Sequence, residues 1–196
     1  QAKYTLLPLL LCALGILASL AGIRVVRIGA SGDPGAALNR GTRVTCLLFA
    51  AMVAGIVITG GYNPGVLWAT LAGLLAGVVI GLTSDYFTSA AFRPVRETAR
   101  VSGSGAAIGI ITGFSYGLAS IVPAVIGIVV ATLASYHLCE MSGLSGLYGI
   151  GIAAVGMLAV SGIVASSDAY GPIVDNARGI AEMSGMPHEV IVTADV

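Results

Sequence analysis

Long apolar stretches separated by short polar segments dominate the hydrophobic pattern of the chain. They predict five membrane-spanning helices, at about 4–23, 44–62, 64–87, 106–138 and 144–183. An α-helix rises about 1.5 Å per residue, so about 20 apolar residues suffice to cross the hydrocarbon core of a bilayer. We therefore predict an all-α fold, a polytopic transmembrane helix bundle in which residues 1–196 belong to a single membrane domain.

Two of the apolar stretches differ in length from an ordinary span. The uncharged part of the second stretch, 44–59, is short, so we extend its span into the turn at 60–64. The fourth stretch, 106–138, exceeds one span but is too short for two spans and a turn. We interpret it as one long tilted helix, which Pro123 is expected to kink because proline removes a backbone donor.

The basic residues are distributed unevenly between the two sides that five alternating crossings define. One side receives Arg24, Arg27, Arg40, Arg43, Arg93, Arg96, Arg100 and Arg178. The other side receives only Lys3. Because loops rich in arginine and lysine remain in the cytoplasm, the segment from Asp168 to Asn176 is predicted to emerge on the cytoplasmic face.

Composition supports a membrane protein and suggests how its helices associate. The chain is 57% hydrophobic and 9% charged, whereas charged residues make up about 25% of a soluble domain. It contains 28 glycines, and small residues let helices approach closely in lipid. A stripe at Gly146, Gly149, Ala153 and Gly156 predicts a packing seam on the last span. The formal net charge is zero, so nothing indicates a nucleic acid partner.

Carboxylates follow the last apolar stretch without an intervening break. Asp168, Asp175 and Glu182 stand seven residues apart, about two helical turns each, so a continuous helix would present all three on one face. Pro172 lies between the first two acids and is expected to loosen this turn, because it frees the carbonyl group of Asp168.

Acids at a membrane boundary are candidates for function, since burying them without a partner is costly. Asp168, Asp175 and the amide of Asn176 are oxygen donors, which suit a hard cation such as Mg²⁺. Three other interpretations remain open. The acids could be solvated at a helix end, could bind a transported cation in a channel or secondary transporter without hydrolysis, or could belong to an inactive helical scaffold.

Several segments resemble the membrane-bound, ion-translocating pyrophosphatases. The segments 146–157, 168–177 (Asp-Ala-Tyr-Gly-Pro-Ile-Val-Asp-Asn-Ala) and 179–183 are similar to the eleventh helix of that family. Further similarity lies at 37–41 (Ala-Leu-Asn-Arg-Gly), 86–89 (Tyr-Phe-Thr-Ser) and 93–95 (Arg-Pro-Val). The resemblance covers the whole chain, and it implies that the five spans correspond to helices seven to eleven of a sixteen-helix protein.

This resemblance implies an enzyme that hydrolyses inorganic diphosphate on the cytoplasmic side and pumps H⁺ or Na⁺ outward. It implies that Asp175 is a ligand of Mg²⁺-diphosphate, and that Asp168 lies below the substrate or couples hydrolysis to transport. Asn176 is expected to hydrogen-bond neighbouring acids. Glu182 is expected to cap or bridge helices rather than bind metal, and no residue of this chain is expected to act as nucleophile or base.

The resemblance also implies Mg²⁺ as a cofactor and leaves K⁺ open as a second one. It suggests a homodimer, located in a bacterial or archaeal cell membrane or in an acidic-compartment membrane. Arg178 stands where the family usually has glycine. The family's other substrate motifs are on helices that do not correspond to this chain. We therefore expect the chain to be a piece of a longer polypeptide that cannot hydrolyse diphosphate alone.

Overall fold

A computed structural model describes residues 2–27 and 34–193, which form helices and no β-strand. The helices are α1 (Ala2–Val25), α2 (Pro34–Thr59), α3 (Pro64–Thr88), α4 (Arg93–Ser102), α5 (Ala106–Met141), α6 (Gly146–Met157), α7 (Ser161–Asp168), α8 (Tyr170–Met183) and α9 (His188–Thr193), with a 3₁₀ turn at Leu158–Val160. Among these residues, five helical stretches are long and apolar enough to cross a membrane: Lys3–Val25, Gly35–Thr59, Pro64–Ser102, Ala106–Met141 and Gly146–Met183. The predicted all-α class and number of spans are thus confirmed.

The helix that contains the second apolar stretch begins well before residue 44, where the predicted span starts. Helix α2 starts at Pro34, so Arg40 and Arg43 lie on its first turns rather than in a loop. Proline favours the first helical position because its fixed φ suits a helix and its missing N–H would have no partner there. Both arginines are exposed, and their long side chains can keep their charges in a polar environment. Asp33, which directly precedes α2, lies outside the described residues.

The fourth stretch is a single helix, as predicted, because α5 continues from Ala106 to Met141 with Pro123 in its interior. The charged segment before α5 is also partly helical. It contains a helix of its own, α4, which begins at Arg93 with Pro94 in its first turn. Pro94 is fully buried, so it anchors this short helix to the protein.

Contacts divide the described residues into two compact units, one within Gln1–Met52 and Ala159–Val196 and the other within Val53–Leu158. In the second unit, α3, α5 and α6 pack together through the predicted glycine stripe. A β-carbon at Gly156 would overlap the backbone of Thr70 on α3, and one at Gly149 would overlap the backbone of Ser135 on α5. All four residues of the stripe are buried, which confirms the predicted seam.

A polar link joins two short connections of this unit, 60–63 and 142–145. The side chain of Asn63 caps α3, because its Oδ1 accepts a hydrogen bond from the backbone N–H of Gly65 at 2.9 Å. Its Nδ2 donates to the carbonyl oxygen of Ser142 at 2.6 Å. Glu140 accepts a 2.7 Å hydrogen bond from the N–H of Gly146, the first residue of α6. These contacts satisfy backbone groups that helix ends leave without intrahelical partners.

The first unit also relies on small residues. Helix α1 packs against α7 and the turn before it, where the hydroxyl of Ser19 donates to the carbonyl of Ala159 at 3.5 Å. A β-carbon at Gly15 would lie 3.0 Å from the same oxygen, and one at Gly162 would lie 2.8 Å from the Ser19 β-carbon. This packing holds α7, which leads to the predicted site, against the first span.

Candidate functional site

The predicted acids lie on two helices that meet at a discontinuity. Asp168 is the last residue of α7, Ala169 follows, and α8 begins at Tyr170. The cause is local, since Pro172 has no N–H to donate to the carbonyl of Asp168 and its ring crowds that group. Ala169 keeps helical angles (φ −71°, ψ −18°), so the chain continues in roughly the same direction. The predicted loosening at Pro172 is confirmed, and the three acids do not share one regular helix.

The polar residues of the candidate site are accessible. Asp168, Asp175, Asn176 and Glu182 are all exposed, whereas Ala181 on the same helix is buried. Helix α8 contacts its chain neighbours α7 and α9, and its acids are left accessible. In that position they can reach an ion, a ligand or another helix.

The described residues do not gather these acids into a metal site. No group of three or more histidine, cysteine, aspartate or glutamate side chains lies close enough in residues 2–27 and 34–193 to hold a metal ion. Mg²⁺ usually keeps several waters and takes one or two protein carboxylates plus phosphate oxygens. Asp175 fits such a role as one donor, and further ligands would have to come from the substrate, water or other parts of a larger protein.

Glu182 pairs with a residue on its own helix. The Nε of Arg178 lies 3.0 Å from Glu182 Oε1, one turn further along α8. In the described part of the structure this ion pair is intrahelical, and the expectation that Glu182 caps or bridges helices stays a prediction. Because both side chains are substantially exposed, the pair is worth only about 0.3–0.5 kcal/mol. It nevertheless directs the Arg178 charge along α8 towards Glu182.

The helical character of the Arg93–Ser102 segment was not predicted from the sequence. Its arginines recur at intervals of three and four residues, at 93, 96 and 100, which is a helical spacing that could have revealed α4. Arg100 forms an ion pair with Glu97. The Nε of Arg96 donates to the backbone oxygen of Ala90 at 2.9 Å. The segment is therefore an ordered basic helix next to the end of α3, not a loop.

Comparison with known proteins supplies the family. The model for the inorganic H⁺ pyrophosphatase family matches residues 1–196. The chain is 40% identical over 185 residues to a putative K⁺-stimulated pyrophosphate-energized sodium pump of Clostridium tetani, covering 93% of this chain and 28% of that protein. It is 40% identical over 198 residues to K⁺-insensitive pyrophosphate-energized proton pump 2 of Moorella thermoacetica, covering 96% of this chain and 29% of that protein.

A third relative gives a similar result. The chain is 38% identical over 195 residues to a K⁺-insensitive pyrophosphate-energized proton pump of Methanosarcina mazei, covering 97% of this chain and 29% of that protein. The chain thus spans less than a third of the length of these curated relatives. Its five bilayer-length apolar helices and these relatives show an integral membrane protein. The resemblance inferred from the residues is confirmed, and the chain belongs to the inorganic H⁺ pyrophosphatase family.

Proposed function

We propose that this chain is part of a membrane pump that hydrolyses inorganic diphosphate and couples hydrolysis to outward translocation of H⁺ or Na⁺. The observation that carries the proposal is the family match along residues 1–196. Relatives with nearly equal identity are named as sodium pumps and as proton pumps. Both ions are therefore kept in the proposal.

In this proposal Asp175 binds Mg²⁺-diphosphate. Diphosphate is strongly anionic, so a carboxylate can approach it only through a bridging cation, and Mg²⁺ also neutralises charge that develops during attack by water. Asp175 is exposed on α8, beyond the uncharged stretch that ends at Ser167. Asp168, at the end of α7, is proposed to couple hydrolysis to ion movement, and Asn176 to hydrogen-bond the neighbouring acids.

The proposal sets this site on the cytoplasmic face. Support comes from the eight arginines that alternating crossings put on the same side as α8. The membrane is that of a bacterial or archaeal cell or of an acidic compartment. We propose as partners the remaining helices of a larger chain and a second copy in a homodimer. Mg²⁺ is the proposed cofactor, and K⁺ is a candidate because relatives are named as K⁺-stimulated and K⁺-insensitive.

The proposal is tested by phosphate release from diphosphate in membranes containing the full-length polypeptide that includes this chain. Asp175→Asn keeps the size of the side chain but removes its charge, so activity should fall at least about tenfold and the Mg²⁺ requirement should rise. Glu182→Gln is the matched control on the same helix, because its carboxylate pairs with Arg178. It should change activity by less than about twofold.

The phosphate-release measurements distinguish a role of Asp175 in hydrolysis from cation transport without hydrolysis. If Asp175→Asn and Glu182→Gln both retain full activity, Asp175 is not a ligand of the substrate complex. If well-inserted parent protein releases no phosphate at any Mg²⁺, Na⁺ and K⁺ concentration tried, hydrolysis is excluded. Cation transport through Asp168 and Asp175 without hydrolysis then becomes the better hypothesis.

A further inference from the structure

Helix α5 is longer than a membrane crossing requires. It runs from Ala106 to Met141, a total of 36 residues, which is about 54 Å at a rise of about 1.5 Å per residue. The hydrocarbon core of a bilayer is about 30 Å thick. To fit inside it, α5 would have to tilt by about 56° from the bilayer normal, whereas transmembrane helices tilt by about 20° on average, within a range of about 0–40°. Part of α5 therefore lies outside the hydrocarbon.

Aromatic side chains indicate where the hydrocarbon ends on α3 and α5. Trp68 and Tyr86 lie on α3, about 27 Å apart along its axis. Tyr116 and Tyr136 lie on α5, about 30 Å apart. Both distances match the thickness of the hydrocarbon core, whose two surfaces are enriched in tryptophan and tyrosine. Phe87, next to Tyr86, lines the same cavity as Tyr116, so these ends of the two helices lie at a similar height.

Helix α4 packs alongside the first turns of α5. A β-carbon at Gly113 would lie 3.6 Å from the methyl carbon of Thr98, and one at Gly109 would lie 2.8 Å from the hydroxyl oxygen of Ser102. One turn forward along α4 thus corresponds to one turn back along α5. The two helices run antiparallel and are joined by the turn at 103–105, so residues 93–115 form a helical hairpin, called here the α4–α5 hairpin. Helix α4 follows the axis of α5 and does not cross it at a right angle.

The charges of α4 indicate the height of this hairpin. Within ten residues this helix carries Arg93, Arg96, Glu97 and Arg100. Arg100 is paired with Glu97, and all three arginines are exposed. Charged side chains are costly inside the hydrocarbon, so α4 is expected outside it. Because Gly109 and Gly113 pack beside α4, the first turns of α5 lie outside the hydrocarbon as well.

The junction between α3 and α4 has the composition of a membrane–water interface. The ring centroids of Tyr86 and Phe92 are 5.2 Å apart, and both side chains are partly exposed. The Nε of Arg96 donates to the carbonyl oxygen of Ala90 at 2.9 Å, which holds the start of α4 at this junction. Amphipathic rings beside a guanidinium group are typical of the depth at which lipid head groups lie.

We propose that the α4–α5 hairpin projects from the lipid surface on the side of the membrane where its arginines lie, with Tyr86, Phe92 and Tyr116 in the head-group layer. Residues 106–115 would then extend about 15 Å beyond the hydrocarbon, and the membrane crossing of α5 would be confined to residues 116–136. The argument rests on helix length, aromatic spacing and charge, which are the same whichever helices of a larger polypeptide surround α5. It depends on the membrane location of the chain, not on the proposed pump activity.

The test measures collisions of a nitroxide label with oxygen, which concentrates in hydrocarbon, and with a polar nickel chelate, which stays in water. Labels are attached to Ile110→Cys and Phe114→Cys in the hairpin, each in a cysteine-free background of the full-length polypeptide in lipid vesicles. The ratio of nickel to oxygen collisions at these two residues should exceed the ratio inside the span at least about fivefold, because the bilayer core contains no water.

Ile121→Cys and Val125→Cys are the matched controls inside the span. Each follows its counterpart by about three helical turns, so it lies on the same side of α5. All four native side chains are at least half exposed. Variants are compared at the thermal midpoint and elution volume of the parent. Ile111→Cys and Val122→Cys have the same spacing and replace a pair that does not fold.

Three results would overturn the inference. Collisions mainly with oxygen at all four residues would show that α5 tilts within the bilayer along its whole length. Protection of residues 110 and 114 from both reagents would show that the hairpin is enclosed by protein. Nickel collisions at residues 121 and 125 equal to those at 110 and 114 would exclude a bilayer surface at Tyr116. The measurement uses no diphosphate, so failure of the pump hypothesis would leave it interpretable.

Discussion

The backbone of Gly73 on α3 packs directly against the carbonyl group of Ala153 on α6, so closely that a β-carbon at residue 73 would overlap the Ala153 oxygen. In lipid, helices associate through close packing rather than through a hydrophobic force between them. This contact belongs to a row that includes Thr70 against Gly156 and Gly77 against Met157. The glycines of both helices are thus required by the approach of two backbones.

The first prediction concerns Gly73→Ala. The added methyl group has no space, so α3 and α6 must separate, and overpacking of this kind costs about 1–3 kcal/mol. We expect a lower midpoint of thermal unfolding in detergent and less folded protein in membranes. Gly81→Ala is the control, because nothing lies within 4 Å of the added carbon there. Equal stability of the two variants would show that α3 and α6 do not pack as the structure shows.

The sequence predicts one face of this contact but not the other. The stripe from Gly146 to Gly156 has a helical period, which is enough to identify it as a packing seam. Its partners, Thr70 and Gly73, cannot be identified in this way, because periodicity shows which face of a helix packs and not which helix covers it. The number of spans follows from length and hydropathy alone. The start of α2 does not, since the charges of Arg40 and Arg43 are equally typical of a loop.

The candidate site was predictable to a similar degree. The acids and the effect of Pro172 could be identified from residue type and spacing, and the discontinuity at Ala169 agrees with them. The partner of Glu182 could not be assigned, because an arginine four residues earlier is compatible with an ion pair or with a solvated side chain. The other ligands of a metal ion at Asp175 cannot be identified from this chain, because the acids of its described part do not form a cluster.

The second prediction separates the two roles of Asn63. Asn63→Ala removes both the cap of α3 and the hydrogen bond to Ser142, and should cost about 1–2 kcal/mol of stability. Asn63→Asp retains an oxygen that can cap Gly65 but loses the amide donor to the Ser142 carbonyl. The midpoint of thermal unfolding should therefore be highest for the parent, lower for Asn63→Asp and lowest for Asn63→Ala. Equal midpoints for Asn63→Asp and the parent would mean that the link to Ser142 contributes no stability.

The third prediction concerns Arg178, which lies one turn before Glu182 on α8. Its side chain is paired with Glu182, so we expect Arg178→Gln to change diphosphate hydrolysis by less than about twofold and stability by less than about 0.5 kcal/mol. The apparent KM for Mg²⁺-diphosphate provides the sharper measurement. An increase of about tenfold would show instead that the arginine charge attracts the substrate, and repeating the measurement in high salt would then reduce the difference.

The fourth prediction distinguishes the proposed roles of Asp168 and Asp175. If Asp168 couples hydrolysis to transport, Asp168→Asn should move fewer ions per diphosphate while retaining more hydrolysis than Asp175→Asn. The measurement is simultaneous phosphate release and ion uptake in sealed vesicles. Proportional loss of both activities in Asp168→Asn would assign Asp168 to substrate binding. A carrier without hydrolysis would lose cation flux in both variants and release no phosphate in the parent.

The last prediction tests sidedness at the two ends of the Gly146–Met183 stretch. Ser145 and Ser184 are exposed residues just outside it, and the Ser145 hydroxyl makes no capping hydrogen bond to α6. If this stretch crosses the membrane once with its acids in the cytoplasm, Ser184→Cys in a cysteine-free background should react with an impermeant maleimide only in inverted vesicles. Ser145→Cys should react only in right-side-out cells. Labelling of both from one side would exclude a single crossing, while the reverse pattern would move Asp175 outside the cell. A pump that uses cytoplasmic diphosphate could not then bind it there, so this measurement tests the orientation on which the proposed site depends.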